Sequence, residues 1–379
     1  MASSSTSVKP SVGILSIGDM GMGIAKLLLA NDYEVLTVSA GRRQIVDVAS
    51  DEELLTRADI ILSIVPPRDA FTTARRVFNA SRSAGDARKA KKGPASNQIV
   101  YIDLNAISPR TVAKINGLFD VMPITSPPPT PSLTRRLTRT LSMAGSQQST
   151  SEPPPPPPID IRFLDGGIIG SPPSKDKSSD EPNNSNDQDS TWKKPSIPLS
   201  GPHESLLTPA LLTLLNMKFI SGKLGTASAL KACFASLTKG FTALSILSYT
   251  TAATCGVLPE LKSHLEEYMP GLAQRAEKGL TGMPPKAYRW VDEMREIGKT
   301  FKSSGGMKFG GEMFEQAAEV YRFVAEDTVL GNEKTGKRKR GMTVEDVAEA
   351  VEEGVQRKMQ KREGKDEKLE LAWRGSWGL

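Results

Sequence analysis

The sequence predicts an α/β domain, built on a mostly parallel and doubly wound sheet, followed by an all-helical domain. In the first part of the chain, short apolar runs alternate with amphipathic stretches, as happens where helices cover both faces of a parallel sheet. Beyond about residue 224 the strand signals stop, and only helical periodicity remains. The chain has 379 residues, of which 38% are hydrophobic, which suffices for two such domains.

The first predicted element is an apolar strand at residues 12–15, which runs into a glycine-containing turn and then a helix. Gly18 and Gly21 match the second and third glycines of G-x-G-x-x-G, and Ser16 stands where the first would be. Such a turn presents main-chain N–H groups and the positive end of the helix dipole to a pyrophosphate. A β-turn without a ligand is the alternative. The pattern favours a Rossmann dinucleotide site formed by Ser16, Ile17, Gly18, Asp19, Met20 and Gly21.

The end of the second predicted strand, residues 34–38, indicates which dinucleotide binds. An acidic residue at this point binds the ribose 2′-hydroxyl, whereas arginine accommodates a 2′-phosphate. No carboxylate follows Val38; the chain continues through Ser39 to Arg42 and Arg43, whose guanidinium forks suit phosphate. We therefore expect NADP rather than NAD, with Ser39 and Arg42 as cofactor contacts. A solvated arginine pair beside the next helix is the alternative.

Further strands and helices extend the sheet. Helices are predicted at residues 68–79 and 109–117. The predicted strands are residues 59–65, 98–104, 161–165, 197–200 and 218–221.

Two segments interrupt this pattern. Residues 121–158 include six consecutive prolines, and residues 172–194 are rich in Ser, Asp, Asn and Lys. Neither composition can build a core, so both are predicted to be disordered insertions. The predicted organisation is a flexible N-terminus at 1–10, a cofactor domain at 11–224 and a helical domain at 225–379.

The helical domain opens with a long apolar stretch. Residues 240–258 carry no charge and are nearly long enough to cross a bilayer, but they are diluted by Ser and Thr and continuous with Lys231 and Lys239. We expect a buried helix of a soluble domain and no membrane association. Because about 155 residues supply limited apolar cover, we also expect a homodimer through this domain. The helices are predicted at 226–255, 259–268, 285–301, 311–327 and 343–361.

Composition narrows the function classes. The net charge is +6, and the basic runs at 88–92 and 334–340 look exposed but lack the interleaved aromatics of a nucleic-acid platform, which predicts no nucleic-acid partner. Cys233 and Cys255 have no metal-ligand spacing, which predicts reduced core cysteines and no metal. Residues 1–10 lack the apolar core of a secretory signal, so the expected location is cytoplasmic, with a weak nuclear-import patch at Lys337 to Arg340.

Five motifs in this order resemble those of the β-hydroxyacid dehydrogenase superfamily, and within it the 6-phosphogluconate dehydrogenase-like proteins with a helical C-terminal domain. The resemblance covers the chain outside the two insertions and the C-terminal tail. It implies an oxidoreductase that interconverts a hydroxyl and a carbonyl group of a small-molecule substrate, with NADP expected as cofactor from Arg42 and Arg43. The motifs are Gly-Asp-Met-Gly at 18–21, Ser-Ile-Val-Pro-Pro at 63–67, Asp-Leu-Asn-Ala-Ile-Ser-Pro at 103–109, Asp-Gly-Gly-Ile-Ile-Gly at 165–170 and Gly-Thr-Ala-Ser-Ala-Leu-Lys at 225–231.

Two of these motifs close strands at the carboxyl edge of the sheet, where ligands bind in open α/β folds. Val65, Pro66 and Pro67 form a fixed loop that is expected to wall the nicotinamide, the alternative being a rigid turn only. Asn105 ends the next strand, and its amide is expected to contact ribose or nicotinamide unless it caps the following helix.

The glycine-rich motif resembles the family's loop for a substrate carboxylate. That loop usually carries Ser before its glycine pair, whereas this chain has Asp165, which would repel a carboxylate unless it points away. Ser171 is the candidate replacement donor. The predicted substrate-binding residues of this loop are Gly166, Gly167, Gly170 and Ser171.

Lys231 is the predicted catalytic residue. It lies in a helix of Ala, Leu, Cys and Phe, where desolvation lowers the pKa of an ammonium group towards that of a general base. The resemblance implies the same acid/base role, although the Asn usually found one turn later is Ala235 here. Lys239 is a second candidate for a substrate-anion contact. A structural ion pair of Lys231 is the alternative.

The stretch 284–296 is an amphipathic helix that could close the far wall of the cleft or simply cover a core. Phosphogluconate decarboxylases of the family carry a His and an Asn beside the catalytic lysine. Neither stands beside Lys231, and the chain's two histidines are His203 and His264, so phosphogluconate decarboxylation is not assigned. Two rival functions remain: a dinucleotide-binding protein without turnover, given the departures at Ser16, Asp165 and Ala235, and a reductase of imines or of ketones without a carboxylate.

Overall fold

The structure is a computed structural model that describes residues 9–38, 45–93, 97–120, 159–175 and 192–376, with side chains up to residue 361. Ser39, Arg42 and Arg43 lie outside the described residues, as do the insertion at 121–158 and most of the second one.

The sheet has eight strands in the order β10-β9-β6-β5-β4-β1-β2-β3, and all neighbours are parallel except β6 and β9. The predicted mostly parallel sheet is therefore confirmed. A separate antiparallel pair is formed by β7 and β8. The strands are β1 Val12–Leu15, β2 Val35–Thr37, β3 Val46–Asp47, β4 Ile60–Ser63, β5 Gln98–Asp103, β6 Asp160–Gly166, β7 Ser174–Lys175, β8 Trp192–Lys193, β9 Ile197–Ser200 and β10 Met217–Ser221.

Helices cover both faces of the sheet and then continue alone. Apolar residues of α1 and α5 pack on one face, and those of α2, α3 and α4 pack on the other. The α/β helices are α1 Asp19–Leu29, α2 Asp51–Arg57, α3 Pro67–Lys92, α4 Pro109–Phe119 and α5 Pro209–Leu214. The helical part has its own core and consists of α6 Thr226–Ala235, α7 Phe241–Thr254, α8 Leu258–Tyr268, α9 Pro270–Gly282, α10 Ala287–Ser303, α11 Lys308–Asp327 and α12 Val344–Ser376.

Helix α3 is 13 residues longer at its C-terminal end than predicted, running to Lys92 rather than Asn79. Ala80, Ala84 and Arg88 continue its buried face at four-residue spacing. Arg88 is fully buried and donates to the carbonyl oxygens of Leu55 at 2.7 Å and Ala58 at 2.6 Å. The prediction that 88–92 is an exposed loop was wrong, because the guanidinium binds the carbonyl groups at the end of α2.

Three other predictions need correction. Cys233 and Cys255 are exposed and not in the core. The second insertion is shorter than predicted, since its ends form β7 and β8, with Lys175 lying 5.8 Å from the Trp192 ring. The basic run 334–340 is exposed only in part, because the Arg338 guanidinium donates to the Thr281 carbonyl oxygen at 2.5 Å.

The long apolar segment Thr226–Thr254 is the one helix of the described chain that is long and apolar enough to cross a membrane. Only 39% of its most apolar window is buried, so the expectation of a buried helix holds for one face alone. A π-helical turn, Ser236–Gly240, joins α6 to α7 inside this segment. Lys231 and Lys239 both project from it, one on each side of the join between α6 and the π-turn.

Candidate functional site

The turn between β1 and α1 leaves the start of α1 open. Gly18 is the N-cap residue and supplies no side-chain cap, and a Cβ on it would meet no atom within 4 Å. The N–H groups of Asp19, Met20 and Gly21 have no acceptor among the described residues. A Cβ on Gly21 would lie 2.4 Å from the Ser16 carbonyl oxygen, so the tight turn requires glycine there. This unfilled cradle of N–H donors fits a pyrophosphate.

Ser16 occupies the position of the first glycine of the motif, and its backbone is strained as a result. Its φ is +72°, in the left-handed region that favours glycine. The turn therefore keeps the glycine conformation with a serine in it.

The loop after β4 and the residue after β5 are tied together at the same sheet edge. The Val65 N–H donates to Asn105 Oδ1 at 2.6 Å, and Asn105 Nδ2 donates to Asp103 at 2.9 Å and to Ser63 Oγ at 3.1 Å. Asn105 is 3% exposed, and these contacts use both ends of its amide. Pro66 is the N-cap of α3, and Pro67 begins the helix. Asn105 thus fixes the Val65 loop, while Ser108 provides the cap of α4.

Two buried carboxylates lie side by side on β5 and β6, since Asp103 pairs with Asp165 in the sheet register. Burial, with the nearby charge of Asp165, raises the pKa of Asp103 to about 7 despite hydrogen bonds from Asn105. Burial also raises the pKa of Asp165. Asp165 accepts from Ser228 Oγ at 2.5 Å and Ser200 Oγ at 2.8 Å. Hydrogen bonds from the start of α6 and the end of β9 therefore occupy both oxygens of its carboxylate.

Lys231 lines a small cleft between α6 and α10, with a free volume of about 10 Å³. Its Nζ donates to the carbonyl oxygen of Ile168, in the glycine-rich loop. Burial, helped by the positive charge of Arg289, lowers the pKa of Lys231 to about 8. Among the described residues no carboxylate pairs with it. The residues lining the cleft are Ala106, Ile107, Lys231, Ala232, Ala235, Glu293, Glu296 and Ile297.

Lys239 lies in the π-helical turn that follows α6, and a carboxylate of the protein already pairs with it. Its ammonium forms an ion pair with Glu293 and lies 5.3 Å from the centre of the Trp290 ring. Burial lowers its pKa well below the usual value, and the charges of Lys231, Arg289 and Lys286 lower it further. The charge of Lys231 therefore affects the protonation of Lys239.

In the glycine-rich loop, the N–H groups of Gly167 and Ile169 are bonded within the protein, and Gly166 and Gly167 pack closely against neighbouring residues. Gly167 N–H donates to the Pro198 carbonyl at 3.1 Å, and Ile169 N–H donates to the Ser196 carbonyl at 2.8 Å. A Cβ on Gly167 would lie 2.9 Å from Lys231 Cβ, so this glycine lets α6 approach the loop. Gly166 is enclosed by Leu104 and Leu199, whereas Gly170 and Ser171 are exposed.

The amphipathic helix α10 was predicted from the sequence, but a role for its acidic residues was not. Glu296 crosses between the two parts of the chain: its Oε2 accepts from the Ser108 N–H at 2.8 Å and from Thr111 Oγ1 at 2.7 Å. It also pairs with Lys299. These hydrogen bonds outweigh burial and lower the pKa of Glu296. A glutamate in the apolar stripe of α10 was the available signal, but its partner lies 188 residues away.

The comparisons with known proteins support this fold. One family profile, described as a domain of unknown function (DUF1932), matches residues 252–324. No curated protein matches the sequence. Among solved structures, a conserved hypothetical protein from Sinorhizobium meliloti 1021 is 17% identical, with 92% of this chain and 97% of that chain covered and a TM-score of 0.53.

Two enzymes share the fold, with sequence identity and TM-score close to those of this hypothetical protein. The 3-hydroxyisobutyrate dehydrogenase of Mycobacterium tuberculosis, solved with L-serine, is 13% identical over 91% of this chain and 99% of its own, with a TM-score of 0.53. That of Salmonella typhimurium is 14% identical over 90% and 99%, with a TM-score of 0.50. These similarities show that the chain has the two-part fold of the 3-hydroxyisobutyrate dehydrogenases, as the sequence predicted.

Proposed function

We propose that this protein is a nicotinamide-dinucleotide-dependent oxidoreductase that interconverts a hydroxyl and a carbonyl group, with Lys231 as general acid/base. The observation that carries the proposal is the placement of Lys231. It lies in a cleft beside the glycine-rich loop, without a carboxylate partner among the described residues, and its pKa is lowered to about 8. A base near neutrality is what proton transfer from a hydroxyl requires.

The dinucleotide would be held by the open start of α1. The N–H groups of Asp19, Met20 and Gly21 suit its pyrophosphate, and the Val65 loop, fixed by Asn105, suits the wall of the nicotinamide pocket. When bound, the nicotinamide supplies or accepts hydride at the reacting carbon.

The protein's own part is to hold and move a proton. In the oxidising direction, neutral Lys231 Nζ accepts the proton of the substrate hydroxyl as hydride leaves the same carbon. In the reducing direction, the ammonium form donates this proton to the carbonyl oxygen. The Ile168 carbonyl oxygen accepts one N–H of Lys231 and so holds the amine in a fixed direction.

We propose NADP as the dinucleotide, on the sequence alone: Val38 is not followed by a carboxylate, and Arg42 and Arg43 come four and five residues later. NADPH should bind more tightly than NADH by calorimetry, and Arg42→Ala should reduce the difference. Equal affinities in the unmodified protein would refute the preference.

The activity itself is tested by a screen. Hydroxyacids, polyols, ketones and imines are each incubated with NADP(H), and absorbance of the reduced nicotinamide is followed. Turnover of hydroxyl or carbonyl compounds is the expected result. Turnover of imines alone would favour the reductase alternative, and tight cofactor binding without any turnover would favour a binding protein.

We further propose a homodimer in the cytoplasm, with α6 and α7 at the interface. Leu237 is 76% exposed, Leu244 56% and Leu247 52%, and Leu230 and Phe234 are also exposed. A stripe of large apolar side chains along one helical segment is typical of a protein–protein contact.

A further inference from the structure

The first turn of α6 is not capped by its own N-cap residue. Gly225 precedes the helix with a φ of +87° and, as a glycine, offers no side-chain acceptor to the free N–H groups of that turn. Ala227 and Ser228, in the same turn, are fully buried. Because a buried N–H without an acceptor costs free energy, the acceptors for these two residues have to come from elsewhere in the protein.

Strands β6 and β9 supply these acceptors. The Ser228 N–H donates to Asp165 Oδ2 at 3.1 Å, and Ser228 Oγ donates to Asp165 Oδ1 at 2.5 Å. The Ala227 N–H donates to Ser200 Oγ at 3.0 Å, and this hydroxyl in turn donates to Asp165 Oδ2 at 2.8 Å. Asp165 and Ser200 are paired in the register of the two strands. Asp165 is therefore the centre of a helix cap that the sheet provides to α6.

This cap requires a carboxylate. Both oxygens of Asp165 accept hydrogen bonds, whereas an asparagine would present one oxygen and an NH₂ group that cannot accept. The N-terminal end of a helix also carries partial positive charge, which favours a negative side chain there. Asp165 is fully buried, so the loss of one of these bonds leaves a buried donor unpaired.

The segment that begins with Asp165 also holds the amine of Lys231. Ile168, three residues after Asp165, accepts from Lys231 Nζ through its carbonyl oxygen. Lys231 follows Ser228 by three residues, about one helical turn. A Cβ on Gly167 would lie 2.9 Å from Lys231 Cβ, so the loop and α6 are in close contact here. A movement of α6 away from the sheet would therefore separate the lysine amine from the carbonyl group that directs it.

We propose that Asp165 is a positioning residue, which caps α6 from the sheet and thereby fixes the direction in which Lys231 presents its amine to the reacting group. The catalytic consequence rests on the proposed function, whereas the cap does not. The neighbouring buried carboxylate, Asp103, has a different role, because its oxygens accept from the backbone and side chain of Asn105, which fixes the Val65 loop.

Hydrogen exchange of the full-length protein, followed by mass spectrometry, tests the cap without a substrate. Asp165→Asn and Ser228→Ala should each speed exchange in residues 225–235 by about tenfold or more, the scale of one hydrogen bond to a charged group. Residues 98–103 in the sheet should stay protected. Because both substitutions remove the same bond, their effects should be less than additive in the double variant. Ser245→Ala, which removes a buried hydroxyl bonded within α7, is the matched control and should leave 225–235 unchanged.

The position of the lysine is measured by its reactivity and by kinetics. Acetylation of Lys231 by acetic anhydride, relative to the exposed Lys302, should rise in Asp165→Asn and Ser228→Ala, because the amine leaves its buried site. On a substrate found in the screen, both variants should lose about tenfold or more in kcat, since small displacements of a catalytic group are costly. The NADPH affinity of both variants should stay unchanged, as should kcat in Ser245→Ala.

Unchanged exchange in residues 225–235 of folded Asp165→Asn would overturn the proposal. If that variant does not fold, unchanged exchange in Ser228→Ala would do so. Faster exchange with unchanged acetylation of Lys231, or with wild-type kcat, would contradict the positioning role. Wild-type turnover without any of these changes in the variants would leave the proposed function intact. Faster exchange and acetylation in variants of a protein that turns over no compound would support the positioning role and contradict the proposed function.

Discussion

At the scale of single residues, the candidate site contains buried ionisable groups and a strained backbone position, each of which costs free energy of folding. Lys231 is a largely buried amine, Asp103 is a buried carboxyl group with a pKa near 7, and Ser16 has a left-handed backbone. The burial of Lys231 could be predicted from the sequence because a charge in an apolar helix is conspicuous. The role of Asn105 could not, because its partners Val65 and Ser63 lie 40 and 42 residues away and meet it only in the sheet.

Ser16→Gly should raise the free energy of unfolding by about 1 kcal/mol, because glycine adopts φ of +72° without steric cost. Urea unfolding measures the change, and NADPH affinity should not fall. Ser83→Gly, at an exposed position inside α3, is the matched control and should destabilise by a similar amount. A lower unfolding free energy for Ser16→Gly would contradict the strain.

The pH dependence of turnover should follow Lys231. Oxidation needs its neutral form, so kcat/KM for oxidation should rise with pH and level off above about pH 8. Reduction needs the ammonium form, so its kcat/KM should fall over the same range. Steady-state rates between pH 6 and 10 measure both. Profiles without an inflection of opposite sense in the two directions would exclude this lysine as the titrating group.

At the scale of elements, two helices differ from their sequence-based predictions for physical reasons. The end of α3 carries small and charged residues without large apolar side chains, and it continues the helix because Ala80 and Ala84 are buried in the core and Arg88 donates to the end of α2. The π-turn at Ser236–Gly240 has no local signal, although the helical stretch around it was predicted. Helix α10 meets α4 through Glu296, an interaction set by tertiary contact.

Glu296→Gln should lower the free energy of unfolding by about 1–3 kcal/mol at pH 7, because its carboxylate accepts bonds from Ser108, Thr111 and Lys299. The pKa of Glu296 is lowered in the folded state, so this stability is present above the ordinary glutamate pKa and lost as pH falls through the folded value. The difference between variant and wild type should therefore shrink in acid.

Urea unfolding at pH 7 and at pH 4 measures this difference. Glu312→Gln, on the exposed face of α11, is the control and should change little at either pH. A Glu296→Gln protein as stable as wild type at pH 7 would show that the contact between α10 and α4 does not hold the two parts together.

At the scale of the whole molecule, the α/β part offers the open start of α1, and the helical part offers Lys231. The sequence could predict this division because strand signals end near residue 221 and α6 begins at Thr226. It could not show which face of the α6–α7 segment is covered, because the buried face carries mostly Ala, Ser and Thr, whereas the four leucines of the segment are all exposed.

The exposed face of α6 and α7 should form a dimer interface. In multi-angle light scattering at micromolar concentration, the wild type should have twice the chain mass of 40.9 kDa. Replacing Leu237 and Leu244 by Glu should shift it towards the monomer, because two charges would be buried in an apolar contact. Ile220→Glu, at an exposed site on β10, is the control. A monomeric wild type would contradict the dimer.

Turnover of Lys231→Met on a substrate found in the screen tests the central claim most directly. Methionine fills similar space without a titratable group, so the variant should fold, bind NADPH with nearly unchanged affinity and lose activity by a factor of about 100 or more. Lys231→Arg should not restore activity, because a guanidinium does not deprotonate at working pH. A folded, NADPH-bound Lys231→Met protein with wild-type turnover would contradict the proposed mechanism.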